Sequence, residues 1–303
     1  MKDKTKGILC MIASALAFSL MQIAVKLTSE GVSIFLQVVF RNFLLSIFSI
    51  VMLKKHGESL VPVKEHRVAL FFRGFLGLFG AVMYFYATKN LPTANAAILQ
   101  KSSPFFVMIF AAIFLNEKLT RFHIMSLVVA FIGAYLVTNP SGNYNLIPAL
   151  SGIFSAIFAA GAYTIIGSLG KTENPYRIML AFGAVTCACL IVPLVLTYKS
   201  PLPIDWLWLV LIGVFGGLGQ YLLTIAYLYA PAGEVSIYNY TSVIFSAILG
   251  FIIFRDKIEP IEYIGIVLIL MSAVILFLYN QKNLGRLKKQ KIKKFKKTID
   301  KDG

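Results

Sequence analysis

Residues 124–170 read IMSLVVAFIGAYLVTNPSGNYNLIPALSGIFSAIFAAGAYTIIGSLG and contain no charged side chain. A helix needs about 20 mainly apolar residues to cross the hydrocarbon core of a bilayer. This stretch is too long for a single helix of that kind, and Asn139-Pro140-Ser141-Gly142-Asn143 near its centre is typical of a turn. The stretch therefore predicts two membrane-spanning helices joined by a short connection.

Similar apolar stretches, separated by short polar connections, cover most of the chain. Charged residues make up 14% of it and hydrophobic residues 58%, with a mean hydropathy of +0.79. A soluble protein of 303 residues has no interior large enough to hide that much apolar surface. We therefore expect an all-α integral membrane protein. Its ten predicted transmembrane helices cover residues 7–25, 34–53, 68–88, 93–115, 120–138, 147–169, 177–198, 206–229, 233–254 and 261–279.

The positive charges predict the orientation of these helices, because cytoplasmic loops of membrane proteins are enriched in Lys and Arg. With the N-terminus in the cytoplasm, most Lys and Arg residues of the connections lie on the cytoplasmic side. We expect a multi-pass protein of the cytoplasmic (inner) membrane with both termini in the cytoplasm. The opposite side then receives Lys26, Lys89, Lys199, Arg255 and Lys257.

The net charge of +16 resembles that of nucleic-acid-binding proteins. Its location argues against that function, since residues 282–303, just beyond the last predicted helix, hold ten of the 29 basic residues. A basic segment in this place is suited to the anionic lipids of the inner leaflet. It is either a frayed basic helix on the membrane surface or a disordered tail that fixes the orientation. No nucleic-acid partner is expected.

The sequence also repeats itself at a shift of 139 residues, or 145 for the first helix of each repeat. Each repeat holds five predicted helices. Because five is odd, the second repeat enters the membrane with the opposite orientation, which is the architecture of many secondary transporters. We predict a first repeat over 1–143, a second over 144–281 and a basic cytoplasmic tail over 282–303. Matching residues are Gly74, Gly77 and Gly80 with Gly213, Gly216 and Gly219, Pro92 with Pro231, Ser103 with Ser242, and Glu117 with Asp256.

Ten helices in a 5+5 inverted-topology repeat resemble the drug/metabolite transporter superfamily in its EamA-type branch. The resemblance covers nearly all of the chain before the tail, and it implies export or exchange of amino acids and other small metabolites. In one place the repeats differ, since Val243 stands where the first has Pro104, so the two halves need not kink alike. The resembling segments are Leu91-Pro92-Thr93-Ala94, Ser103-Pro104-Phe105-Phe106 and Asn116-Glu117-Lys118-Leu119, with counterparts Ala230-Pro231-Ala232-Gly233, Thr241-Ser242-Val243 and Arg255-Asp256-Lys257-Ile258.

Two polar segments lie at equivalent depth in the fourth and ninth predicted helices: Gln100-Lys101-Ser102-Ser103 and Asn239-Tyr240-Thr241-Ser242. Both lie roughly 12–16 Å into their helices, close to the centre of a ~30 Å hydrocarbon core. Polar side chains at that depth are costly against lipid and are expected to face a partner or a cavity. The predicted substrate-binding residues here are Gln100, Lys101, Ser103, Asn239, Tyr240 and Ser242.

Lys101 is the most informative of these residues, because every Asp and Glu of the chain is assigned to a connection, the tail or a helix end. Its ammonium either binds an anionic group of the substrate, such as a carboxylate, or is neutral through burial and carries a proton, or extends to a watery vestibule and does neither. Pro104 removes the helical partner of the Gln100 carbonyl. That carbonyl either accepts a substrate donor or only marks a kink.

Further candidates lie in other helices. Arg41 is about a third of the way along the second predicted helix, where it either binds an anion or reaches the outer interface, and the second is favoured. Gln22, Tyr84, Tyr163 and Gln220 are predicted to line the cavity, although such residues also occur in helix packing and at membrane interfaces. The glycines of the third and eighth helices are expected to permit close helix packing.

No enzyme motif accompanies these residues. The three histidines lie near helix ends, the three cysteines lack metal-binding spacing, and HExxH, GxSxG and P-loop motifs are absent from the sequence. We expect no metal or cofactor, and predict a secondary transporter that moves a small metabolite, amino-acid-like or another small organic solute, by alternating access. Alternatives are an importer or exchanger of a larger metabolite such as a nucleoside or S-adenosylmethionine, and a membrane enzyme or regulatory protein on a transporter fold. The oligomeric state, a homodimer included, is left open.

Overall fold

The computed structural model describes residues 2–90, 99–117, 119–138, 146–254, 260–261, 263–272, 274–275 and 278–279. Regular secondary structure in these ranges is helical throughout. The α-helices are α1 (Lys2–Leu27), α2 (Ile34–Lys55), α3 (Arg67–Asn90), α4 (Ser103–Phe114), α5 (Arg121–Thr138), α6 (Leu146–Leu169), α7 (Pro175–Thr197), α8 (Pro203–Tyr229), α9 (Ala232–Val235), α10 (Thr241–Phe254) and α11 (Tyr263–Ser272).

Seven helical segments in the described ranges are long and apolar enough to cross a membrane, and three shorter apolar helices accompany them. Large apolar side chains lie on the outside of the bundle, for example Leu196 at 79% and Phe114 at 69% exposure, as expected of a surface that faces lipid. The described part of the chain is thus all-helical, and the chain is a multi-pass membrane protein. The seven segments are Asp3–Leu27, Ile34–Lys55, Lys64–Ala87, Leu146–Leu169, Pro175–Thr197, Pro203–Tyr229 and Ala232–Ile253, and the three are Ser103–Phe114, Arg121–Leu136 and Tyr263–Ser272.

The predicted helix at 233–254 is not a continuous α-helix. After α9 the chain forms a 3-10 helix, Ser236–Tyr240, and only then does α10 begin. The 3-10 segment contains neither Pro nor Gly, so its own sequence did not predict the interruption. Such a segment departs from the α-helical hydrogen-bond pattern, and at membrane depth irregular backbone is tolerated only where protein or a cavity surrounds it.

The predicted helix at 93–115 is interrupted as well. Lys101 and Ser102 form a turn before α4 starts, while residues 91–98 lie outside the described ranges. Pro104 lies in the first turn of α4, where its missing N–H costs no hydrogen bond. Of the two alternatives for Pro104, a mere kink within a continuous helix is not observed, because α4 begins at Ser103.

Helices from the N-terminal part of the chain (α1–α5) pack against helices from the C-terminal part (α6–α11). α1 lies along α8, α3 lies along α6, and α2 packs against α7. Further contacts join α2 to α8, α3 to α7, α1 to α10 and α4 to α6. Glycines allow the close approach, because a Cβ on Gly74 would lie 2.9 Å from Val185 and one on Gly213 would lie 2.2 Å from Leu44. These two glycines permit close helix packing, as predicted.

Contacts between connections lie on two opposite faces of the bundle. On one face, Lys4 and His123 both approach the carboxylate of Glu234, and Tyr279 stacks on Phe122 at 4.4 Å between ring centroids. The connections on this face are those that the charge pattern assigned to the cytoplasmic side. The same face also holds the pairs His66–Glu173, Arg177–Glu173 and Arg177–Glu58.

The opposite face is joined through Asp205, at the start of α8. Its carboxylate accepts the backbone N–H of Ser29 at 2.9 Å and the hydroxyl of the same residue at 2.7 Å. It also accepts the N–H of Leu202 at 3.0 Å. These hydrogen bonds join the start of α8 to the connection between α1 and α2. The charge pattern assigned both of these segments to the outer side.

Glu117 joins two of the segments that carry the family resemblance. Its Oε1 accepts the backbone N–H of Ala232 at 2.8 Å, and its Oε2 accepts that of Gly233 at 2.9 Å. These N–H groups lie in the first turn of α9 and have no partner within that helix. A Cβ on Gly233 would lie 3.2 Å from Oε2, so a residue without a side chain gives the carboxylate room.

Replacing Glu117 with Ala should lower the free energy of unfolding by about 2–3 kcal/mol, because two N–H groups would lose a charged acceptor. Glu117→Gln should give an intermediate value, since one amide oxygen replaces two carboxylate oxygens. Thermal unfolding of the detergent-purified protein measures the effect. Glu65→Ala is the matched control, because Glu65 is exposed and lies two residues before the start of α3. Equal midpoints for the two alanine variants would contradict the role of Glu117.

Candidate substrate-binding site

The ammonium group of Lys101 lies where the two interrupted helical segments meet. Its Nζ donates a hydrogen bond to the hydroxyl of Ser242, in the first turn of α10. Ser242 in turn donates to the backbone carbonyl of Asn239, 2.8 Å away in the 3-10 segment. The two polar segments singled out in the sequence are therefore in direct contact. Among the residues that the structure describes, no carboxylate pairs with Lys101.

The backbone of Lys101 makes a second contact between the two parts of the chain. The hydroxyl of Tyr240 donates to the carbonyl oxygen of Lys101 at 2.6 Å. The turn leaves this carbonyl available, because the N–H of Phe105 bonds to the carbonyl of Ser102 at 3.0 Å. The sequence left open whether the carbonyl of Gln100 accepts a substrate donor, and the protein donor Tyr240 binds the carbonyl one residue later.

A chain of hydrogen bonds continues from Ser242 into α1 and α3. The hydroxyl of Ser19 donates to the carbonyl of Ser242 at 3.1 Å, and the hydroxyl of Ser246 lies 3.2 Å from Ser19 Oγ and 3.2 Å from Gln22 Oε1. Gln22 Nε2 donates to the hydroxyl of Tyr84 at 3.2 Å. Ser19 and Ser246 were not among the residues predicted from the sequence. The Lys101 network comprises Lys101, Tyr240, Ser242, Ser19, Ser246, Gln22 and Tyr84.

Other predicted residues lie outside the Lys101 network. Gln100 Oε1 accepts the hydroxyl of Ser155 on α6 at 2.5 Å, and Gln220 Nε2 lies 3.4 Å from Thr224 Oγ1, one turn along its own helix. Ser103 is buried in the first turn of α4. Asn239 contributes only the backbone carbonyl that accepts Ser242, so its side chain has no assigned contact there.

Two arginines form a second buried cluster. Arg41 on α2 is 7% exposed, and Arg73 on α3 is 1% exposed. Their Cζ atoms lie 5.8 and 4.5 Å from the centroid of the Phe182 ring on α7, and Arg41 also lies 5.8 Å from the ring of Phe18. Tyr163, which was predicted to line the cavity, stacks on Tyr227 with 5.1 Å between ring centroids. The arginine cluster comprises Arg41, Arg73 and Phe182.

The interpretation that Arg41 reaches the outer interface is wrong. Its side chain lies inside the bundle beside Gly216, which is in the middle of α8. A Cβ on Gly216 would lie 2.9 Å from both Cγ and Nε of Arg41, and one on Gly77 would lie 2.4 Å from Nη1 of Arg73. These two glycines match at the shift of 139 residues, and each accommodates an arginine side chain. Close helix packing, as expected from the sequence, is therefore only part of the reason for glycine at these two positions.

Interrupted helices and buried cations inside a helical membrane bundle are the organisation of a transporter for small molecules. The sequence profile of the EamA-like transporter family matches residues 5–139 and again residues 146–278. The chain belongs to this family, and hence to the drug/metabolite transporter superfamily that its motifs resemble.

Several relatives are similar over most of their length. The pseudopaline exporter CntI of Pseudomonas aeruginosa is 31% identical over 272 residues, which cover 89% of this chain and 95% of the exporter. An S-adenosylmethionine uptake transporter of Rickettsia bellii is 25% identical, over 80% of this chain and 83% of that protein. A crystal structure with 18% identity superposes with a TM-score of 0.80, over 92% of this chain and 98% of that chain. The family and these named relatives are transporters and not enzymes, so the membrane-enzyme alternative is excluded.

Substituting Gly216 with Ala should destabilise the protein by about 1–3 kcal/mol, because the new methyl group would displace the Arg41 side chain. The neighbouring Gly217→Ala is a matched control on the same helix, since its Cβ would meet nothing nearer than Leu45 at 3.8 Å. That control should be neutral or stabilising by up to about 1 kcal/mol, from helix propensity. Thermal unfolding in detergent compares the two variants, and equal effects would contradict the packing of Arg41 against Gly216.

Proposed function

We propose that this protein is a secondary transporter that moves a small organic solute with a carboxylate group, such as an amino-acid-like metabolite, across the inner membrane by alternating access. The observation that carries the proposal is the environment of Lys101. Its ammonium is bonded to the neutral hydroxyl of Ser242 at the junction of two interrupted helices, and no described carboxylate accompanies it. A cation in the membrane interior is costly, and a substrate carboxylate supplies a counter-ion.

The proposed architecture is an inverted repeat of five and five helices, over residues 1–143 and 144–281. The helix contacts support it, because they occur in pairs that exchange when the repeats exchange. The contact of α1 with α8 corresponds to that of α6 with α3, and the contact of α1 with α10 corresponds to that of α6 with α4. The contact of α2 with α7 corresponds to itself.

This proposed repeat supports a location of the Lys101 network at the membrane midplane. Lys101 and Tyr240 are equivalent at the shift of 139 residues, and they contact each other. In a two-fold arrangement, a residue touches its own equivalent only close to the axis. For an inverted repeat the axis lies in the membrane plane, so this contact supports a site at mid-depth, where secondary transporters bind their substrates.

The Lys101 network is suited to alternating access, because it joins the turn at Lys101 to α1, α3 and α10. A substrate carboxylate that binds Nζ replaces the Ser242 hydroxyl as the acceptor. Ser242 then keeps its bond to the carbonyl of Asn239, within its own part of the chain. Substrate binding thereby exchanges a direct link between the two parts for a link through the substrate, and this couples occupancy to their relative movement.

The face that carries Lys4, Glu234 and Tyr279 is proposed to be cytoplasmic. The positively charged connections support this orientation. The start of α1 and Tyr279 lie on the same face, as an even number of membrane crossings requires. The basic tail over 282–303 lies outside the described ranges, and its binding to anionic lipids of the inner leaflet is part of the proposal.

Export of a small metabolite is the favoured direction, since an exporter is 31% identical over nearly the whole chain. The second candidate is uptake or exchange of a larger metabolite, such as S-adenosylmethionine or a nucleoside. It is supported by the similarity to an S-adenosylmethionine uptake transporter. Flux measured in both directions with each solute distinguishes the two.

Lys101→Met should reduce transport about 10–100-fold, because the substrate would lose a charged hydrogen-bond donor. The assay is flux of radiolabelled amino acids, nucleosides and S-adenosylmethionine in proteoliposomes. Lys101→Arg, which keeps the charge, should retain more activity than the Met variant. Lys55→Met, at the exposed end of α2, is the control and should transport as the unsubstituted protein does. Unchanged flux in Lys101→Met would remove Lys101 from the site, and no saturable flux with any solute would contradict transport itself.

Single cysteines test the proposed orientation. The background replaces Cys10, Cys187 and Cys189 with Ser, and one cysteine is then placed at Lys64 or at Lys199, both exposed in connections. A membrane-impermeant maleimide should label Lys199→Cys in intact cells and Lys64→Cys only after permeabilisation. The reverse labelling pattern would show that the orientation is opposite to the proposed one. Labelling of both cysteines in intact cells would contradict the assignment of the two connections to opposite sides of the membrane.

A further inference from the structure

Arg73 is a buried cation that the proposed Lys101 site does not use. Its side chain extends along α3 to Gly77, near the middle of the helix, and only 1% of the residue is exposed. An arginine enclosed by protein at this depth in a membrane helix is costly and usually marks a functional site. Its surroundings therefore indicate what it binds.

Arg73 and Arg41 are neighbours that share the ring of Phe182. In the part of the chain that the structure describes, neither guanidinium donates a hydrogen bond or pairs with a carboxylate, and the buried Nε atom of each has no partner. Buried donors in proteins are normally satisfied, and two like charges in a low-dielectric interior repel each other. The pair thus retains positive charge and donors that no described protein group satisfies.

The space around the two arginines is provided at corresponding positions of the sequence repeat. Gly77 adjoins Arg73, and Gly216 adjoins Arg41. A side chain at either glycine would collide with its arginine. Two equivalent glycines that each accommodate a buried guanidinium indicate a built site rather than a single misplaced cation.

We propose that Arg41 and Arg73 bind an anionic group of the substrate, so that the transported solute carries at least two anionic groups, as a dicarboxylate does. This inference rests on the proposed transport function and narrows its substrate class. The planar N–H donors of guanidinium groups match the oxygens of a carboxylate or a phosphate.

The arginine cluster lies at the depth of the Lys101 network. The ring of Phe18 adjoins Arg41, and the next residue of α1, Ser19, belongs to the Lys101 network. Consecutive residues of a helix differ by only about 1.5 Å along its axis. Lys101 and the arginines therefore lie at similar depth beside the same turn of α1, and we place the second anionic group of an extended solute at the arginines.

The test is ligand-induced thermal stabilisation of the full-length protein in detergent. The probes are the α,ω-dicarboxylates from succinate to suberate, the monocarboxylates and diamides of matching length, and inorganic phosphate. At least one dicarboxylate should raise the midpoint saturably, at a concentration at least 10-fold below that of its monocarboxylate, and its diamide should have no effect. Stronger stabilisation by phosphate than by any carboxylate, lost in the same variants, would assign the second anionic group as a phosphate.

Variants assign this binding to the arginine cluster. Arg73→Gln and Arg41→Gln should each weaken dicarboxylate binding about 10–100-fold, as the loss of a charged hydrogen bond predicts. Arg73→Lys, which keeps the charge without the planar donors, should give a smaller loss. Arg67→Gln, at the exposed start of α3, is the matched control and should bind as the unsubstituted protein does. If the Gln variants do not fold, the comparison of dicarboxylate with monocarboxylate and diamide on the unsubstituted protein decides alone.

Equal stabilisation by dicarboxylate and diamide, no stabilisation by any probe, or full affinity in both Gln variants would overturn the inference. Binding in detergent does not require flux. The proposal of transport and the proposal of a second anionic group can therefore be contradicted independently. Saturable transport of an uncharged solute, unaffected by Arg41→Gln and Arg73→Gln, would contradict the second anionic group and support transport. Dicarboxylate binding without flux of any solute would support the second anionic group and contradict transport.

Discussion

The absence of water from the hydrocarbon core is the constraint on which this structure depends. A backbone or side-chain polar group there must find a partner within the protein, since an unsatisfied one costs several kcal/mol. Long α-helices meet the requirement along most of the chain. The turn at Lys101–Ser102 and the 3-10 segment Ser236–Tyr240 break the helical pattern, and they lie against each other. The hydroxyl of Tyr240 satisfies the carbonyl that the turn at Lys101 leaves available.

The helices interlock across the two parts of the chain, and this determines how the bundle can move. α1 packs on α8 and α3 packs on α6, so the first helix of each proposed repeat is held by the third helix of the other. Neither repeat is a separate bundle. We therefore expect a rearrangement at the Lys101 network to involve both proposed repeats. The Glu117 carboxylate also binds α9 to the connection that follows α4.

Apolar length predicted the long helices well, because the bilayer requires it, whereas tertiary contacts determined the rest. The 3-10 segment Ser236–Tyr240 has no helix-breaking residue, and Pro104, for which a kink was one of two alternatives, lies in the first turn of a helix. Lys101 and Ser242 were candidates because the sequence places both near the middle of predicted transmembrane helices. Arg73 was not singled out, since it lies early in α3 and only its long side chain reaches Gly77. The partners of Gln220 and Gln100 depend on side-chain direction, which helix periodicity does not give.

The contact between Lys101 and Tyr240 also constrains the evolutionary history of the proposed repeat. An antiparallel dimer of identical five-helix subunits would bring two copies of one residue together at this point. Two lysines there would supply no hydroxyl for the backbone carbonyl of the turn, and two tyrosines would supply no cation. A lysine opposite a tyrosine thus requires that the two halves have different sequences. Gene duplication followed by fusion and divergence permits this asymmetry, and a symmetric homodimer does not.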